Sequence, residues 1–294
     1  MREFIDLQKD FGNPSQAIKT VDLLLNKIKK KIKPKQKYSK REAVRTLQKI
    51  AGFLKEEGNF AYGKNNLLIE ALGESKGKRF IDCDGFSSLY LAAGENLGLS
   101  LNPVYVPSHI FIRCKINSNT FFYWEPTLAA EKDLNYYKSW LKIKEESEYP
   151  LELDEEKFRA IQLCNLGAAW YKKGDFKKAI AYSNAALRLH PHYAEAYNNL
   201  GAANARLGNL SLALECYGKA IAINPRYAAA YSNMGIAYYK MGKFDEALGF
   251  FKEATKADSR YRKAYFYEYI VLKKKGEVKQ ALKTAARIRK HGKR

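Results

Sequence analysis

Cysteine is scarce: there are four in 294 residues, and Cys83, Cys114, Cys164 and Cys216 stand far apart with no C-x-x-C spacing. That excludes a disulfide framework and argues against zinc, and it predicts free thiols in a reducing compartment. Histidine is as rare, at four; His190 and His192 straddle Pro191 with no third ligand nearby, so no metal is expected. No stretch approaches the roughly 18 apolar residues of a membrane span, and Met1 to Gly12 lacks the basic-then-apolar pattern of a secretory signal. A soluble, cytoplasmic protein without membrane contact is the expectation. Phosphate loops are missing too: Gly73 to Arg79 lacks the Gly-Lys-Ser/Thr ending, no G-x-G-x-x-G follows a strand, and no cofactor is expected. Acid is short, with Asp+Glu 31 against Lys+Arg 52 and a formal charge of +21. Lysine supplies most of it, which reads as a solubilising surface more than as an arginine-rich reader of phosphate.

What is present suffices for real cores, since 46% of residues are hydrophobic and 13% aromatic. At roughly 150 residues per domain the length suggests two domains. The strongest internal signal is a period of 34 residues. Gly174, Gly208, Gly242 and Gly276 fall in one column, Ala179, Ala213, Ala247 and Ala281 in a second, Gly167, Gly201 and Gly235 in a third, and Pro191 and Pro225 in a fourth. Small residues let two antiparallel helices approach, and the later glycine marks the turn between them. With Leu166, Leu200 and Met234 before the first glycine, and Trp170 and Tyr238 after it, these columns resemble the tetratricopeptide repeat. A fourth unit from Arg262 departs from the pattern, with Tyr269 in place of the small residue, and reads as a terminal cap with one face in water.

The resemblance implies an all-α solenoid that binds an extended peptide or protein along the first helices of its units. Asn165, Asn199 and Asn233 recur at the repeat period, where an asparagine can hydrogen-bond a peptide backbone with both ends of its amide. A plainer alternative stays open, in which these asparagines only solvate a helix face. Cys164, Ala168 and Ala229 stand where the family's carboxylate-clamping lysines and arginines would be, so binding of chaperone C-terminal carboxylates is not expected.

The first half reads as mixed α and β. Asn13-Pro14 opens a helix with Ala17, Ile18, Val21, Leu24, Leu25 and Ile28 on its apolar side. The basic run Lys27 to Lys40 contains Pro34 and reads as a solvated loop. Ser39 with Glu42 forms a capping box for a second helix to about Glu57, and Leu67 to Leu72 suggests a short third. Cys83 to Leu97 reads as a helix closed by Gly98. Alternation then predicts strands at Val104 to Val106, His109 to Ile116 and Thr120 to Glu125, and a helix follows from Leu134 to Ile143. The boundary is placed near Pro150, giving domains of 1–149 and 150–294, the second with about three repeats plus a capping helical pair.

Cys83 opens a helix, His109 a strand, and Glu125 closes the next strand, which is the order of nucleophile, base and orienting acid. Unpaired amides at a helix start favour a thiolate, an imidazole can take its proton, and a carboxylate fixes the imidazole tautomer. Asp82 and Asp84 beside Cys83 oppose this, since negative surroundings raise a thiol's pKa. Strand alternation restricts the geometry. If His109 and Glu125 share a face, the opposite one is wholly apolar: Ile110, Ile112, Cys114, Ile116, Phe122 and Trp124. The other parity buries an unpaired carboxylate among isoleucines at a cost of roughly 3–5 kcal/mol. The shared face is therefore expected, and it requires an odd hairpin loop or a bulge.

Asp82-Cys83-Asp84-Gly85-Phe86, Pro107-Ser108-His109 and Trp124-Glu125-Pro126-Thr127 resemble the transglutaminase-like superfamily, with Glu125 at its aspartate's place. The resemblance runs from about Ser39 to Lys144 and implies a papain-like α+β domain. It also implies thiolate attack on an amide carbonyl, with the Cys83 amide as one oxyanion donor. Three readings follow: a Cys83, His109, Glu125 amide hydrolase or acyltransferase fed by the repeats; a non-catalytic protein-interaction adaptor with the first domain as scaffold; and a basic polyanion-binding protein.

Overall fold

The computed structural model describes residues 14–56, 60–62, 79–81, 83–106, 109–141 and 151–290. The expected helix at Leu67 to Leu72, the residues Asp82, Pro107 and Ser108, and the stretch Gly73 to Gly77 lie outside them. The chain divides into two compact units, Met1–Phe158 and Arg159–Arg294.

In the first unit, α1 (Pro14–Lys31) buries Ala17, Val21, Leu24 and Ile28 and ends in Lys29, Lys30 and Lys31. Its cationic end suits the negative pole of the helix dipole. α2 (Lys40–Glu56) starts on the expected capping box: the Ser39 amide donates to Glu42 Oε2 at 2.9 Å and the Glu42 amide to Ser39 Oγ at 3.3 Å. The Lys35 ammonium, then the Ser39 amide and hydroxyl, hold the Glu42 carboxyl down at about 2. Two short parallel strands, β1 (Phe60–Tyr62) and β2 (Arg79–Ile81), precede α3 (Cys83–Leu97), which buries Phe86, Leu89, Tyr90, Ala93 and Leu97 as its periodicity predicts.

The remaining strands form one antiparallel sheet from β3 (Ser100–Val106), β4 (His109–Lys115), β5 (Phe121–Glu125) and β6 (Ala130–Lys132), which α4 (Leu134–Leu141) follows. β7 (Leu151–Glu152) returns to pair with β3, giving the order β6-β5-β4-β3-β7 and carrying the unit past Pro150 to Phe158. α3 covers one face, where Tyr90 meets Trp124 at 6.2 Å between ring centroids. α4 covers the other, where Tyr137 closes a core with Val104, Val106 and Phe111 and lies 3.8 Å from the Phe111 ring. Both faces of the sheet are thus buried, which accounts for its near-continuous apolar strands.

The repeat region is helical throughout: α5 (Glu155–Lys173), α6 (Phe176–Leu189), α7 (Ala194–Arg206), α8 (Leu210–Ile223), α9 (Ala228–Lys240), α10 (Phe244–Ala257), α11 (Arg262–Lys274) and α12 (Val278–Lys290). These are four helical hairpins, and the turn glycine of each has φ between 77° and 88°, a left-handed conformation that side chains resist.

The other glycine column has a steric reason. A Cβ on Gly235 would sit 2.6 Å from the Phe251 ring, whereas one on Gly249, on the outside of α10, would meet nothing. Gly235→Ala should therefore destabilise by about 1–3 kcal/mol. Gly249→Ala should stabilise by about 0.4–1 kcal/mol through helix propensity. Urea titration of the two variants checks the opposite signs, and equal effects would remove close helix approach as the reason for the column.

Candidate functional site

The register of β4 and β5 pairs Arg113 with Tyr123 and Ile112 with Trp124. Odd-numbered residues of both strands consequently share a face, and His109 and Glu125 lie on it. The five residues Ile116 to Thr120 make the odd-length connection, closed by the Ile116 amide donating to the Thr120 carbonyl at 2.8 Å.

His109 Nε2 and Glu125 Oε2 are 2.7 Å apart, and the residues are 3% and 1% exposed. The shared face does not keep Glu125 in water, as the parity argument implied. It supplies donors instead. Tyr137 Oη donates to Oε2 at 3.2 Å, the Thr127 amide to Oε1 at 3.0 Å, and the Thr127 hydroxyl also to Oε1. Four donors thus satisfy the carboxyl oxygens in a buried place.

Because Glu125 only accepts, Nε2 must carry the proton, and in the neutral ring the basic lone pair sits on Nδ1. Tyr137 stacks on the imidazole at 6.2 Å, and Trp140 meets it edge-on at 5.0 Å. Burial, then the Glu125 charge, raises the pKa of the Tyr137 hydroxyl, so it stays a donor. Tyr137 and Trp140 were not singled out from the sequence; the spacing of Tyr136, Tyr137 and Trp140 on one short helix was the available signal.

Cys83 is the first residue of α3 and is partly exposed, whereas Cys114, Cys164 and Cys216 are buried. One turn on, Ser87 Oγ donates to the Ile110 carbonyl at a long 3.5 Å, tying the start of α3 to β4 beside His109. Cys83 stands about 6 Å along the axis from that tie. α3 covers the Trp124 face, however, while the His109 ring packs towards α4 on the other.

In the repeats, Asn165, Asn199 and Asn233 occupy the first helices of their units and are half-buried. Asn199 Nδ2 donates to Cys164 Sγ at 3.2 Å. Asn233 Nδ2 donates to Asn198 Oδ1 at 2.8 Å, and Lys263 Nζ donates to Asn233 Oδ1 at 2.9 Å. The second and third members of the expected column thus link their units to the ones before. The amides of Asn199 and Asn233 still have at least one hydrogen and one lone pair each beyond these bonds. Asn198 and Lys263 are additions that the 34-residue columns did not reveal. Desolvation lowers the Lys263 pKa, and the residue makes no ion pair among the described residues.

Comparison with known proteins bears on this region. Family models described as TPR repeat match residues 167–208 and 205–242, and one described as tetratricopeptide repeat matches 228–267. No curated protein matches the chain. Among solved structures, MamA is 25% identical over 54% of this chain and 85% of its own, with a TM-score of 0.42. TTC0263, a thermophilic TPR protein of Thermus thermophilus, is 25% identical over 44% of this chain and 72% of its own, with a TM-score of 0.41. The first TPR of Spaghetti (RPAP3), bound to an HSP90 peptide, is 22% identical over 41% and 95%, with a TM-score of 0.39. No helix among the described residues is long and apolar enough to cross a membrane.

Proposed function

Starting from a C-terminal region made of tetratricopeptide repeats, we propose that the chain is a protein-interaction adaptor that holds an extended peptide along the first helices of those repeats. The observation that carries this reading is the run Asn198, Asn233, Lys263. It sets partly satisfied amides next to an ammonium whose only hydrogen-bond partner among the described residues is neutral. A solvent-exposed cation with no counter-ion among the described residues favours an arriving carboxylate, and the amides suit a peptide backbone. The ligand is accordingly a peptide with an acidic side chain at the Lys263 position.

The test is binding of the full chain to an array of random-sequence peptides. Acid-containing peptides should be retained, and Lys263→Ala should weaken them about tenfold or more, the worth of one charge-assisted hydrogen bond. Unchanged binding by that variant would overturn the assignment.

A second reading is favoured by one observation, the buried His109–Glu125 pair held by Tyr137 and Thr127. In it, the first unit is transglutaminase-like and papain-like. The Cys83 thiolate attacks an amide carbonyl, His109 moves the proton through Nδ1, and Glu125 orients the ring. The amine leaves, and water or an acceptor amine resolves the thioester. The reactivity of the Cys83 thiol tests it.

A further inference from the structure

The turns between the paired helices carry a second pattern at the repeat period, made of rings and cations. In the first hairpin Tyr171 and Phe176 meet at 5.5 Å between ring centroids, and Arg206 of α7 lies over both, at 5.8 Å and 4.7 Å. In the third, Tyr239 and Phe244 meet at 5.8 Å, and Lys274 of α11 lies over both, at 5.5 Å and 5.2 Å. The second hairpin keeps the cation and lacks the rings. Ala205 and Leu210 stand at the two aromatic positions, and Lys240, in register with Arg206 and Lys274, lies over no ring among the described residues. Its side chain is exposed, and its ammonium donates to the Ala205 carbonyl at a long 3.4 Å. Lys240 makes no ion pair among the described residues; the acids closest in sequence, Asp245 and Glu246, open α10, where Lys275 holds Asp245 at 2.5 Å.

Nothing in the second hairpin takes the place of the missing ring. Leu210 turns inward to pack with Ala213, Tyr217 and Ala237. Leu207 and Met241, the neighbours of Arg206 and Lys240 in sequence, are 43% and 40% exposed, where the outer units carry Lys173 and Lys275 at the same register. A cation over an alanine, rimmed by exposed aliphatic side chains, is therefore a site that the chain itself fills twice with an aromatic ring. Charge complementarity points to the same occupant, because the negative face of a ring attracts an ammonium. Lys240 also stands seven residues beyond Asn233, two turns along the same side of α9, so the site continues the line of amides that faces the peptide backbone. We propose that the slot between Ala205, Leu210 and Lys240, rimmed by Leu207 and Met241, takes a phenylalanine or tyrosine side chain of the peptide held by the repeats. The assignment rests on the reading of the repeats as a peptide-binding array, but not on Lys263.

Isothermal titration calorimetry of the full chain with short serine- and alanine-based peptides tests it. Each peptide carries one glutamate and, at varied spacing from it, one phenylalanine, leucine or alanine. The tightest phenylalanine peptide should bind about tenfold or more above its alanine match. It should bind about threefold above its leucine match, the worth of one exposed cation–π contact. Lys240→Ala should erase the margin over leucine and leave the alanine peptide unchanged. Ala205→Tyr supplies the ring from within, so it should raise the urea midpoint of the repeats and abolish the preference for phenylalanine. Leucine matching phenylalanine would mean an apolar patch only, and a lowered midpoint for Ala205→Tyr would mean that the space is already filled; either overturns the proposal. Binding that needs glutamate and Lys263 but ignores the ring would overturn the slot and leave the acidic-peptide reading standing. An aromatic preference that survives Lys263→Ala would uphold the slot and remove the acidic one, and no binding by any peptide would overturn both.

Discussion

Glu125→Ala should lower the stability of the first unit by about 3–5 kcal/mol, the range for removing one partner from a buried charged pair. The carboxylate is the shared acceptor of His109 Nε2, Tyr137 Oη, the Thr127 amide and the Thr127 hydroxyl. Without it, four polar groups lose their partner at once in a place water does not reach. Each unsatisfied group costs on the order of 1–3 kcal/mol, and relaxation recovers part of that. Glu125→Gln keeps the volume and one strong acceptor and should cost less than half as much. Tyr137→Phe removes one of the four bonds and should cost about 1 kcal/mol. Urea unfolding followed by near-ultraviolet circular dichroism reads the ranking, with the transition of the repeats as internal reference. A loss below about 1 kcal/mol for the alanine variant would mean that the carboxylate is not charged and bonded as the geometry requires.

How much of this was legible beforehand depends on how local each feature is. Repeats are the easy case, because each hairpin contacts only its neighbours and its glycines answer to local geometry: a left-handed turn at Gly208, a ring against Gly235. The facing of His109 and Glu125 was also readable, since alternation with an apolar opposite face leaves one parity. Neither β6 nor β7 could be read. β7 has two residues, and only its pairing with Val104 and Tyr105 makes it a strand. Tyr137 escaped for a related reason, as the face that α4 presents is fixed by the side of the sheet on which it lands.

The asparagine column shows the opposite limit. Its period was visible, yet what the amides bind depends on residues 35 or 30 positions away in neighbouring units, Cys164, Asn198 and Lys263.

Iodoacetamide should label Cys83 ahead of the other three thiols by two or more orders of magnitude. Cys114 is buried and its thiol is pushed up to about 12, so near pH 7.5 its thiolate fraction is roughly 10⁻⁴ or less. Burial also raises Cys216, and Cys164 is buried against Asn199. Selectivity of this kind follows from exposure alone and serves both functional readings. The pH dependence separates them. An ordinary thiol titrates near 8.5, so at pH 6 only about 0.3% is thiolate and alkylation slows nearly tenfold for each unit of acid. A thiolate paired with the His109 imidazolium would keep reacting, about 300-fold faster than that at pH 6 before allowance for the lower nucleophilicity of a low-pKa thiol. Glu125→Gln should then return the profile towards the ordinary curve, because the imidazolium loses the charge that supports it. A native profile that already follows the ordinary curve would remove the catalytic reading and leave the repeats as the working part of the molecule.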